Sequence, residues 1–146
     1  METRENTRGN EAPKVEEIYN VTKQWLSDIN FYNDEVEFFK KLLEKYFPIL
    51  IKKENIAKVY EINKELLEFE TQKHGVRVHL LSLNEKAELV IKDLISEVEI
   101  DAKNNYFELT REIAELRESF REVKRSIFGL TEHIMEEEKL KHLLNP

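Results

Sequence analysis

Val15, Ile18, Thr22, Trp25, Ile29, Tyr32, Val36, Phe39, Leu43 and Tyr46 follow one another at alternating steps of three and four residues. That spacing gathers apolar side chains into one stripe of an α-helix, whereas in a strand it would scatter them over both faces. Held over so many turns, it commits the segment to a long helix with one buried side. Thr22 is the one weak member. Pro48 disfavours helical geometry at Phe47, so the first helix is predicted over 13–46, about 50 Å long. Pro13 suits its first turn, and Asn10 stands where a cap would.

A second seam runs through Val59, Ile62, Leu66, Phe69, Lys73, Val76, Leu80, Leu83, Ala87, Val90 and Leu94. It predicts a helix over 54–103, on the order of 75 Å. Ser82-Leu83-Asn84-Glu85 has the spacing of a capping box, and a new helix starting there would give a four-helix bundle broken near 82–85. The register passes through Asn84 unshifted, which favours one helix. Asn104-Asn105 is the better break signal, because Asn caps helices and tolerates left-handed geometry. Beyond it Tyr106, Leu109, Ile113, Leu116, Phe120, Val123, Ile127, Leu130 and Ile134 form a third seam, predicting a helix over 105–143.

Three such helices with short connections predict an all-α, antiparallel, coiled-coil-like bundle. Residues 1–12 are polar and aperiodic, and read as a flexible tail. Residues 13–146 read as one helical-bundle domain. Trp25, Tyr32, Phe39, Leu66, Phe69, Leu80, Leu116, Phe120 and Ile127 are expected in its core. Ion pairs at helical spacing, Glu37–Lys41, Glu54–Lys58 and Glu137–Lys141, are expected on the outer faces. Each would add only about 0.2–0.5 kcal/mol.

Composition narrows the function classes. The chain is 36% charged and 40% apolar, with three glycines and three prolines, too few turn formers for a sheet protein. Its net charge of −7 comes without a basic block, which argues against nucleic acid and against anionic membrane surfaces. No cysteine is present, so thiolate chemistry and disulfides are excluded. The N-terminus has no apolar stretch of the secretory kind, and no run approaches a membrane span. A cytoplasmic protein is expected.

Helical bundles rich in carboxylates invite a di-metal site, which needs Glu-x-x-His on two helices. The residues three before His74, His79, His133 and His142 are Thr71, Val76, Leu130 and Lys139, so the motif is absent. His74 and His79 sit about 140° apart round a helix, and His133 and His142 nearly opposite. No metal or cofactor site is therefore assigned, and no catalytic residue. A site of carboxylates alone, drawn from Asp28, Glu35, Glu65 and Glu112, is the alternative. A phosphorelay role for His74, beside Gly75, is a third reading, although the usual flanking patterns are missing. Gly75 is either a tolerated helix glycine or a place where helices approach closely.

Arg117, Arg121, Lys124 and Arg125 form the densest basic stretch, but Glu115, Glu118 and Glu122 interleave with them, so a solvated ion-pair face is expected. Phe47-Pro48-Ile49-Leu50-Ile51 is too apolar for an idle loop: it either plugs the bundle or docks a second copy. Lys73 on the second seam either reaches to solvent or marks register in an oligomer. With no glycine-rich phosphate loop and no nucleophile motif, the expected function is non-catalytic, through a protein partner or self-association as a homo-oligomer.

The stretch Trp25-Leu26-Ser27-Asp28-Ile29-Asn30-Phe31-Tyr32-Asn33-Asp34-Glu35-Val36-Glu37-Phe38-Phe39, continuing to Leu42-Leu43, resembles the opening helix of small uncharacterised all-helical proteins of Bacteroidetes. Those begin with a Trp, then an aromatic pair before Asp-Glu, then a Phe/Leu run. The resemblance covers residues 25–43. It implies a bacterial, cytosolic protein built from long helices, and it implies no activity.

Overall fold

The structure, a computed structural model, describes residues 13–46, 48, 55–93 and 96–144, with the α3 side chains described over 97–136. It contains three long helices: α1 (Val15–Lys45), α2 (Ile56–Asp93) and α3 (Ser96–Leu144). Among the described residues there is no strand. The chain is an all-α bundle, as the seams predict.

α1 begins where the Lys14 carbonyl accepts from the Glu17 and Ile18 amides, at 2.9 and 3.0 Å. Pro13 lies just outside it, and the candidate cap Asn10 and the tail 1–12 fall outside the described residues. Glu16 and Glu17 occupy the first turn and Lys45 the last, each sign at the favourable end of the helix dipole. α2 starts after Asn55, whose carbonyl accepts from the Val59 amide at 3.0 Å; Asn is a favoured residue at that position.

The second helix does not reach residue 103. It ends at Asp93, and α3 begins at Ser96, so Asn104 and Asn105 lie inside α3. The reason lies in the phase. From Val90 the apolar positions run Leu94, Val98, Ala102 and Tyr106, successive steps of four that rotate steadily out of a heptad seam. Continuing the second seam in register would have put Glu97 and Asp101 in the core. Read backward from Leu109, the third seam instead extends to Ala102, which is fully buried. The two Asn residues are accommodated as helix residues, one exposed and one half-buried. At 82–85 α2 is unbroken, and the four-helix alternative falls.

The chain forms two compact units, each drawing on all three helices. The first comprises Met1–Ile29 and Gly75–Ala114. Its described core holds Val15, Ile18, Trp25 and Ile29 from α1, Val76, Leu80, Leu83, Ala87 and Val90 from α2, and Ala102, Leu109 and Ile113 from α3. Trp25 stacks on Tyr106 with ring centroids 5.8 Å apart. The pairs His79–Glu112 and Lys86–Asp101 show α3 retreating as α2 advances, which is the antiparallel sense. Thr22, the weak seam member, is fully buried and satisfied. Its hydroxyl donates to the Tyr19 carbonyl and accepts from the Asn84 amide, both at 2.9 Å. The bond gives the half-buried Asn84 amide a partner in mid-helix, where a buried donor left unpaired would cost about 1–3 kcal/mol.

The second unit comprises Asn30–His74 and Glu115–Pro146. Its core is aromatic. Phe120 of α3 meets Tyr32 at 4.5 Å, Phe69 at 5.7 Å and Phe39 at 6.0 Å, and Phe39 also meets Phe128 edge-on at 5.8 Å. Tyr32 with Phe120 and Phe39 with Phe128 advance together, so α1 and α3 run parallel here. Val36, Leu43, Ile62, Leu66, Leu116, Val123, Ile127, Leu130 and Ile134 fill the rest. Of the expected core residues, only Tyr32 is half-buried rather than buried.

Neither described glycine marks a close approach: a Cβ at Gly75 or Gly129 would meet nothing within 4 Å. Gly75→Ala is therefore expected to stabilise the chain by up to about 1 kcal/mol through helix propensity. Urea denaturation checks this, and a loss of stability would show that the backbone is crowded there.

Candidate functional site

The chemical candidates are dispersed. Asp28 and Glu112 belong to the first unit, Glu35 and Glu65 to the second. Asp28 accepts from Gln24 at 3.2 Å, and Glu112 lies 2.8 Å from His79 Nδ1. Among the described residues no group of three or more His, Asp or Glu is placed to hold a metal ion. Glu35 is half-buried on α1.

Glu65 is the odd one: its Oε2 is buried with no hydrogen-bond partner among the described residues. It faces a cleft between α2 and α3 of about 440 Å³, lined also by Glu68, Gln72, Ser119, Glu122 and Arg125. Phe69 and Val123 supply the apolar part of its lining.

His74 is exposed on α2 and His133 on α3, and the side chain of His142 lies outside the described residues. The basic stretch of α3 is exposed throughout. Arg121 pairs with Glu118 at 3.3 Å and Lys124 lies over the Phe128 ring at 5.8 Å, the solvated network expected from the interleaved charges. Of the apolar segment 47–51, only Pro48 is described, and it is exposed.

In place of the expected Glu37–Lys41 pair, Lys40 lies 3.7 Å from Glu37 and hydrogen-bonds Glu70 of α2, 2.9 Å away. That hydrogen bond is the main reason the Lys40 ammonium is held above its ordinary pKa. Glu54 and the Glu137–Lys141 side chains are outside the described residues.

Lys73 is half-buried on the α2 seam. Its pKa is lowered from the ordinary lysine value, chiefly by burial, against the pull of Glu70. The charged form is thus disfavoured in the native state. The resulting destabilisation is full below the folded pKa, is relieved as pH rises toward the unfolded value of 10.5, and vanishes above it. Lys73→Met is expected to raise the thermal midpoint at pH 7 and to raise it less above pH 10.5. Parallel melts of the two proteins across that range check the sign.

What the seams did not announce are apolar side chains on outer faces. In the second unit Phe31 and Phe38, seven residues apart on α1, are 54% and 52% exposed. Tyr60 and Leu67, seven apart on α2, are 73% and 67% exposed. Tyr60 and Leu67 border a shallow depression formed by α2 alone, with Asn63, Lys64, Glu68, Thr71 and Gln72. The signal was present in the sequence: an apolar pair at heptad spacing lying off the seam. Single exposed apolar residues are ordinary, whereas repeated ones on one helix face mark a contact surface.

Comparison with family models, with curated proteins and with solved structures finds no match to this chain. Among the described residues no helix is long and apolar enough to cross a membrane.

Proposed function

We propose that this chain is a non-catalytic association module, a cytoplasmic helical bundle that works by docking protein surfaces, with a second copy of itself as the first partner. The observation that carries the reading is the pairing of internally filled seams with Phe31, Phe38, Tyr60 and Leu67 left in water. These four lie off the seams, and apolar side chains repeated on one helix face gain by being covered. Scattered carboxylates and exposed histidines offer no competing cluster among the described residues.

Light scattering coupled to size exclusion, with metal analysis of the same sample, tests this. The expected result is a mass above the monomer that falls to monomer when Phe31, Phe38, Tyr60 and Leu67 are all replaced by glutamate. A stoichiometric transition metal, in a chain whose mass those replacements leave unchanged, would overturn the reading in favour of a carboxylate metal site.

A further inference from the structure

We infer that the outer face of α2 in the second unit pairs antiparallel with the same face of a second copy, about a two-fold axis beside Leu67. The inference rests on the association reading and names its surface and partner. The residues bordering the depression, Tyr60, Asn63, Lys64, Leu67, Glu68, Thr71 and Gln72, are distributed almost evenly about position 66. Turning the helix end for end about that point sets Leu67 beside Leu67 of the second copy. It also sets Tyr60 over Thr71 and Gln72 of the second copy.

The same operation places Lys64 opposite Glu68 of the second copy, and Glu68 opposite Lys64, so the surface is complementary in charge to itself. Neither residue has an ion-pair partner among the described residues. Their order on α2, Lys before Glu at i,i+4, is the weaker orientation for a pair within one helix. Both are therefore free to pair across an interface. A two-fold axis demands this self-complementarity, since each side must supply what the other lacks.

The area sets the strength. Tyr60 and Leu67 leave on the order of 300 Å² in water. Doubled by symmetry and joined by the stems of Lys64, Thr71 and Gln72, the contact approaches about 1,000 Å², the lower limit for a specific interface. A weak, micromolar dimer is the consequence.

Sedimentation equilibrium from about 10 µM to about 1 mM spans that affinity. The wild-type chain is expected to dimerise and Leu67→Glu to remain monomeric, with unchanged helical circular dichroism. Lys64→Glu and Glu68→Lys alone should each weaken the dimer about tenfold by setting like charges opposite one another. The double exchange K64E/E68K should restore it, which no general loss of fold could mimic. A dimer that survives Leu67→Glu but is lost on replacing Phe31 and Phe38 would overturn this pairing and leave the association reading standing. A double exchange that fails to restore the dimer overturns the pairing. A monomer at every concentration overturns both the pairing and self-association, and confines the reading to a different protein partner.

Discussion

Replacing Phe120 with alanine is expected to lower the unfolding free energy by about 3–5 kcal/mol, enough to leave much of the chain unfolded at moderate urea. Phe120 is where the helices of the second unit meet: its ring contacts Tyr32 and Phe39 of α1 and Phe69 of α2. Truncation removes the transfer free energy of a buried ring and leaves a cavity that three stiff aromatic neighbours fill poorly. Each aromatic pair lost removes a further ~0.5–1.5 kcal/mol of geometric preference. Urea denaturation followed by circular dichroism reads the effect as a drop in midpoint at nearly constant slope. A loss under about 1 kcal/mol would mean that Phe120 is not at the centre of a close-packed core.

Ala102→Asp is expected to destabilise by roughly 3–4 kcal/mol, while Asn104→Ala, two residues away, should stabilise by a few tenths, about 0.5 at most. The contrast follows from where α3 begins. Ala102 is fully buried in the first unit, so an aspartate there places an unpaired carboxylate among apolar side chains. Asn104 is an exposed residue inside a helix, where alanine is the better helix former. Were the helices separated at Asn104-Asn105, the order would invert: Asn104 would be a cap costing about 1 kcal/mol to remove, and residue 102 would lie in a fraying end. Thermal melts of the two variants distinguish the arrangements directly.

The seams made the fold legible to the extent that burial dictates it. Ile18, Ile29, Phe39, Leu80, Leu116 and Ile127 are buried at the spacing a helix requires. Thr22 looked like a flaw because its partner, Asn84, lies 62 residues away in sequence, and no local pattern links the two. α3 starts at Ser96 and not at Asn104-Asn105 because phase outweighs local propensity there. The phase slips between Val90 and Ala102, and Asn104 and Asn105 are carried as interior residues of a long helix. The outward faces were hardest to see. A search for one seam per helix passes over Tyr60 and Leu67, because their heptad relation is to each other and not to the core.

Cross-linking through single cysteines tests the claim that these outward apolar residues form a contact surface between copies. The chain has no cysteine of its own, so each introduced thiol reports alone. Leu67→Cys lies beside the two-fold axis, whereas Glu118→Cys stands on an exposed polar face of α3, one turn from Glu115, Arg121 and Glu122. Under the same mild oxidant, Leu67→Cys should form a disulfide-linked dimer about tenfold or more faster, because pairing raises the local thiol concentration above that of the bulk. Equal rates at the two positions would contradict the account, since they would mean that copies of the chain meet only by random collision.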